Sequence, residues 1–96
     1  MAENYQEKRR ERRVSARGGL TLGWEGGPIS PIEGHLMDVS VHGFRAAHKH
    51  AGLVTGQEVV FEHSGARGRA RVMWTRILGS NVESGFLVLG DPHLGE

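Results

Sequence analysis

An all-β domain is the fold this sequence predicts, on three observations. From Leu20 onward the chain runs in short segments with period-two alternation, rich in β-branched and aromatic residues. Turns containing glycine separate them, drawing on 15 glycines in 96 residues. Six such segments in fewer than eighty residues cannot leave two long exposed edges without inviting aggregation, so closure into a barrel is expected rather than a flat sheet.

The expected strands are 20–24, 34–39, 43–47, 57–62, 68–77 and 82–89. They are separated by EGGPISP, SVHG, HKHAGLVTG, HSGAR and LGSN. HSGAR and LGSN have the composition of hairpin turns. The clearest hairpin joins 57–62 to 68–77, because Val59 and Phe61 alternate with Glu58 and Glu62, and Val72 and Trp74 alternate with Arg71 and Thr75. Val60 interrupts the first of these alternations and suggests a bulge or a locally two-sided strand. Trp74 is read either as core or as a stacking residue at a ligand site. Residues 1–18 carry few apolar groups and no helical stripe, and are expected to form a flexible, solvated arm. The barrel is expected to occupy 19–90 and a short tail 91–96.

Composition narrows the function. Leu, Ile, Val and Phe make up 23 residues, about 24% of the chain, enough for a small core. The absence of cysteine excludes a disulfide framework and a thiolate zinc site. Neither a membrane-spanning apolar run nor the apolar stretch of a signal peptide is present, which points to a soluble, cytoplasmic protein. The net charge of +1 conceals an asymmetry: residues 1–17 hold six basic and three acidic groups, whereas residues 18–96 hold six basic and eight acidic ones. The positive charge is therefore an arm, not a coat.

No constellation for catalysis stands out, and the chain reads as a non-enzyme. His48 and His50 would point to opposite sides of a strand, with no third ligand at a spacing that closes a metal site. Asp38, Ser40 and His42 have the residue types of a hydrolytic triad, but neighbours in one strand and turn seldom converge as that geometry requires. No phosphate-loop signature GxxxxGK[ST] is present.

Two features remain. Arg9, Arg10, Arg12, Arg13 and Arg17 form an arginine series containing R-x-x-x-R at Arg9/Arg13 and again at Arg13/Arg17. Guanidinium groups can clasp phosphates through paired hydrogen bonds and stack on bases. DVSVHG, residues 38–43, follows a strand and taken alone is an Asx or Ser turn, with Gly43 supplying the turn.

In this order the two motifs resemble those of the PilZ domain family of bacterial cyclic di-GMP receptors. The resemblance covers about residues 9–89, and GFRAA, VTGQEVVFE, ARVMWTR and SGFLVL fall where that family's later strands lie. It implies a six-stranded antiparallel β-barrel of PilZ type, with the family's C-terminal helix absent or vestigial, since only GDPHLGE follows the last expected strand. It also implies a cyclic di-GMP site, with Arg9 and Arg13 on phosphate and guanine groups, Arg10 auxiliary, and Asp38, Ser40 and Gly43 on the barrel. Under the other arginine register, Arg17 and Arg12 accompany Arg13. Such a receptor would use no cofactor, bind neither membrane nor nucleic-acid polymer, and pass its signal to a separate effector protein. Two other readings stay open: a small barrel that binds single-stranded nucleic acid, and a PilZ-like adaptor that binds only protein.

Overall fold

The computed structural model describes residues 13–64 and 66–93. Seven strands follow in chain order: β1 (Val14–Ser15), β2 (Gly19–Gly23), β3 (Ile32–Val39), β4 (Gly43–His48), β5 (Glu58–His63), β6 (Ala66–Leu78) and β7 (Asn81–His93). All pairings are antiparallel, and the order β3-β2-β5-β6-β7-β4 returns to β3 through the β3–β4 ladder, which closes a six-stranded barrel. No helix occurs among the described residues.

β1 lies outside this ring of six and was not expected from the sequence, which reads as solvated arm through residue 18. Val14 pairs with Val39 and Ser15 with Asp38, on the edge of β3 that also carries β2. β1 and β2 are thus one strand interrupted at 16–18. The Ala16 N–H donates to the Met37 carbonyl at 3.0 Å, Leu36 N–H donates to the Gly18 carbonyl at 2.9 Å, and Gly18 takes φ of 118°. A glycine is needed at that angle because a side chain would strain it.

The β5–β6 hairpin runs in register from Glu58↔Arg71 to His63↔Ala66, and β6–β7 turns at Leu78↔Asn81 with Gly79 at φ 65°. β5 contains no bulge, so of the two readings of Val60 the structure excludes the bulge and leaves a strand with apolar residues on both faces. Val59 and Phe61 face the core while Val60, between them, is 57% exposed on the outer surface. Its apolar character does not disturb the alternation. β7 continues to His93, past the expected end at 89, because β6 supplies partners as far as Arg67.

The interior is built from alternate residues of all six strands. Phe44 stacks on Phe86 with centroids 4.8 Å apart and tilts against Phe61 at 4.9 Å. Leu20, Leu22, Leu36, Val59 and Val72 pack around this trio. One polar chain also runs through the barrel. The His50 N–H donates to His48 Nδ1 at 3.0 Å, which leaves Nε2–H to donate to Ser84 Oγ at 2.8 Å, and Ser84 Oγ lies 2.8 Å from Thr75 Oγ1. Every member has a partner, so the chain costs little to bury.

Burial, together with the neighbouring His50, lowers the pKa of His48, and burial lowers that of His63, which lies against Phe44 and Phe61. Depressed histidines are neutral in the folded chain while the unfolded chain takes up protons, so stability is fully present above their ordinary value near 6.5 and is lost below it. The urea midpoint is expected to fall as pH drops from about 7 to about 5. In His48→Gln, which has nothing to protonate at that position, the fall should be shallower in urea titrations across that range.

Candidate functional site

Two bulges decide which side chains reach the outer face. Between Leu36 and Asp38 the β3–β4 register shifts by one residue, so Leu36 pairs with buried Ala46 while Asp38 pairs with Arg45. Strict alternation would have sent Asp38 inward with Leu36. The extra residue, Met37, turns it outward instead. β6 repeats the device at Met73: Val72 faces the core opposite Phe86, and Trp74 pairs with Gly85 on the outside. Placing Val72 and Trp74 on one face is therefore corrected. Trp74 belongs to neither the core nor the residues packed against it.

One row then crosses the outer surface through Ser15, Asp38, Arg45, Gly85 and Trp74, each the ladder partner of the next. Arg13 Nη1 donates to Asp38 Oδ1 at 2.9 Å. Arg45 donates to Asp38 Oδ2 from Nε at 2.8 Å and also from Nη2. The Asp38 side chain is only 9% exposed beneath these two guanidinium groups, whereas that of Arg13 is 46% exposed. Burial by itself would raise the carboxyl's pKa, but Arg45 and then Arg13 outweigh it and hold the pKa below the ordinary carboxylate value. Asp38 in turn raises the pKa of Arg45. A carboxylate has about four acceptor positions. Among the described residues, Arg45 fills two on Oδ2 and Arg13 one on Oδ1.

Ser40 and Gly43 close the turn after β3. The Ser40 N–H donates to the Gly43 carbonyl at 2.9 Å, and Ser40 Oγ lies 3.4 Å from the same oxygen. Gly43 is not among the residues with positive φ. Its lack of a side chain serves close approach instead, since a Cβ there would overlap the Phe86 carbonyl oxygen. The turn separates two cavities. A shallow one of about 180 Å³ is lined by Arg13, Ser40, His42, Gly43, Met73 and Trp74. A mainly apolar one of about 450 Å³ on the other side is lined by Arg17, Val39, Ser40, Phe44, Phe61 and His63. Arg13 and Arg17 therefore line different cavities, and of these two it is Arg13 that reaches Asp38. Arg9, Arg10 and Arg12 lie outside the described residues.

The structure thus brings together Arg13, Asp38, Ser40 and Gly43, and adds three residues that sequence reasoning did not assign. Arg45 is the chief omission. Its signal is an arginine two places after Gly43, on the outward phase of β4 between buried Phe44 and Ala46. Glu83 and Arg76 form an ion pair at 3.1 Å beside Trp74. A larger cleft, about 650 Å³, lies elsewhere on the barrel, lined in part by Glu33, His35, His48, Lys49 and Glu62. Among the described residues, no cluster of three His, Asp or Glu is arranged to hold a metal ion. No described helix is long and apolar enough to cross a membrane.

Comparison with known proteins adds no identity. No protein-family profile matches the chain, and no curated sequence is significantly similar to it.

Because the folded pKa of Asp38 is depressed, its ionised form contributes stability that is present above the ordinary value near 4 and is lost as pH falls through the lower folded value. Asp38→Asn is expected to be less stable than the wild type at neutral pH, with the gap narrowing as pH falls below about 4. Arg45→Ala should lose more stability than Arg13→Ala, because it removes two bonds to a buried carboxylate and Arg13 removes one from a half-exposed position. Urea denaturation of the three variants between neutral and acid pH measures both effects.

Proposed function

We propose that this protein is a non-enzymatic receptor of PilZ type for cyclic di-GMP, acting in the cytoplasm and passing its signal to a separate effector protein. One observation carries the reading. The second arginine of R-x-x-x-R and the aspartate of D-x-S-x-x-G, 25 residues apart in sequence, meet at 2.9 Å on the outer face of a six-stranded barrel.

The chemistry of guanine suits that meeting point. Its N1–H and N2–H₂ donate to a carboxylate, and its O6 and N7 accept from arginine. The guanine edge needs two of the carboxylate's roughly four acceptor positions, and Arg13 and Arg45 already hold three, so at least one existing bond must yield. Arg13 is the one to yield, because it holds Oδ1 by a single bond and is half exposed, while Arg45 grips Oδ2 twice. Arg45 keeps the carboxylate ionised and oriented through the exchange. Arg13, once released, joins Arg9 and Arg10 on the phosphates and on the Hoogsteen edge of a base. In this scheme ligand binding moves an arginine from an internal ion pair to the ligand, and the changed surface around β1 and the 40–43 turn is what an effector reads. The six-basic, three-acidic N-terminal segment beside a barrel of mildly acidic composition fits one compact dianion better than a polymer.

Calorimetric titration with cyclic di-GMP tests this. The intact protein is expected to bind, and Arg13→Ala and Asp38→Ala should each bind about ten- to a hundredfold more weakly. Absence of binding by the intact protein at low salt and high ligand overturns the proposal. Equal or tighter binding of a single-stranded oligonucleotide, with a steep salt dependence, would favour a nucleic-acid-binding barrel instead. Deleting residues 1–11 settles the arginine register: full affinity in that variant would assign Arg13 and Arg17, not Arg9 and Arg13.

A further inference from the structure

The mainly apolar cavity beside the 40–43 turn has no part in the receptor reading, and it exists because the barrel wall ends there. β5 pairs with β2 from Gly23↔Val60 to Leu20↔His63 and no further. Towards the N-terminus from that point the chain runs through Ala16, Arg17 and Gly18 into β1, whose one ladder is with β3. Among the described residues no strand covers the gap between β1 and the end of β5. Phe44 and Phe61 form the floor beneath it, with Ala16 and Val39 on the β1–β3 side and Ala66 and Val88 on the β6–β7 side. Phe44 is stacked on Phe86 and tilted against Phe61, so close-packed rings hold that floor in place. Two side chains at the opening have no packing role. Val41 is 74% exposed on the turn although it borders an apolar space. Arg17 is exposed and, among the described residues, its guanidinium has neither an ion pair nor a hydrogen bond, whereas Arg13, four residues earlier, is engaged by Asp38.

We infer that this cavity is a binding site for a free medium-chain aliphatic carboxylate, with its tail over Phe44 and Phe61 and its headgroup on Arg17. The inference does not rest on the receptor reading, and it gives a role to the described arginine of the N-terminal series that the Asp38 cluster leaves unused. Charge selects the class of ligand. No aspartate or glutamate lines this cavity, whereas the larger cleft carries both Glu33 and Glu62. Burial lowers the pKa of His63 on the cavity wall, so at neutral pH it adds no second charge. An apolar bowl with one cation at its lip is matched by an amphiphile with one negative charge, and the planar fork of a guanidinium meets a carboxylate through two parallel hydrogen bonds. Size selects the source. A volume of about 450 Å³ lies in the range of small-molecule sites. Its floor is closed by the core, so it admits a single short chain, which a free acid supplies and a lipid anchored in a bilayer does not.

Calorimetric titration of the full chain with hexanoate, octanoate and decanoate, each below its micellar threshold, tests this. Affinity should rise about three- to fourfold for each added methylene until the cavity is filled. Decyltrimethylammonium, which has the same tail and the opposite charge, should bind about tenfold more weakly than decanoate. Arg17→Glu should weaken decanoate binding about tenfold and remove the preference for the anion. Val41→Asp, which puts a carboxylate at the lip, should act in the same direction, and both positions are exposed, so neither change threatens the fold. Ala66→Leu, which fills the bowl from its wall, should weaken decanoate about tenfold or more with the charges unchanged. Thermal denaturation of each variant separates these effects from loss of fold. Absence of decanoate binding by the intact protein, or an affinity that ignores both tail length and Arg17→Glu, overturns the inference and leaves the receptor reading untouched. Decanoate binding with this dependence supports it whether or not the protein binds cyclic di-GMP.

Discussion

The candidate site depends on a register constraint: two strands of the barrel each hold one residue more than their partners can pair. In a closed sheet every side chain points either to the core or to solvent, and an extra residue exchanges the two for everything after it. Met37 does this in β3 and Met73 does it in β6. The first moves a carboxylate out of a core lined by three phenylalanines, and the second moves an indole out of the same core. Both arrive on the same outer row, with Arg45 and Gly85 between them.

The electrostatics follow from that placement. An ionised Asp38 inside the barrel would face a desolvation cost of several kcal/mol, whereas on the outer face two arginines share it. These partners are not equivalent. Arg45 belongs to β4 and is fixed by the barrel, while Arg13 precedes the two-residue strand β1 and is attached by a single bond. The rigid partner contributes most to keeping the carboxylate ionised, and the peripheral one adds a single bond from a half-exposed side chain. A site organised in this way can change its contacts without any rearrangement of the core.

Much of this fold is legible in the amino-acid sequence because alternation is strict wherever pairing is regular. Val59 and Phe61 against Glu58 and Glu62 give β5 with its faces, and LGSN gives the turn into β7. What escapes sequence reasoning is what alternation cannot encode. A bulge carries no residue signature of its own, so Trp74 reads as a companion of Val72, and Asp38 offers no sign that it opposes Arg45. Val60 misleads in the opposite sense, since an apolar residue on an outer face looks like a break in the pattern. Gly43 was assigned to the turn for its conformational freedom, yet what requires it is the carbonyl of Phe86, a contact between residues 43 positions apart. Of the site itself, the motif residues Arg13, Asp38, Ser40 and Gly43 are legible in sequence, while Arg45, Arg76 and Glu83 become visible only once the strands are laid side by side.

The two bulges also determine how this surface can change over evolutionary time. Most binding sites drift by exchange of one side chain for another, with the backbone fixed. Here the backbone count itself decides which side chains the surface presents: loss of a single codon at Met37 or Met73 would leave every neighbouring residue type intact and yet turn Asp38 or Trp74 into the hydrophobic interior. Such a deletion would be harsher than almost any point substitution on the same face. Conversely, an insertion at a corresponding point in an unrelated closed barrel is a short route from a sealed wall to a recognition surface.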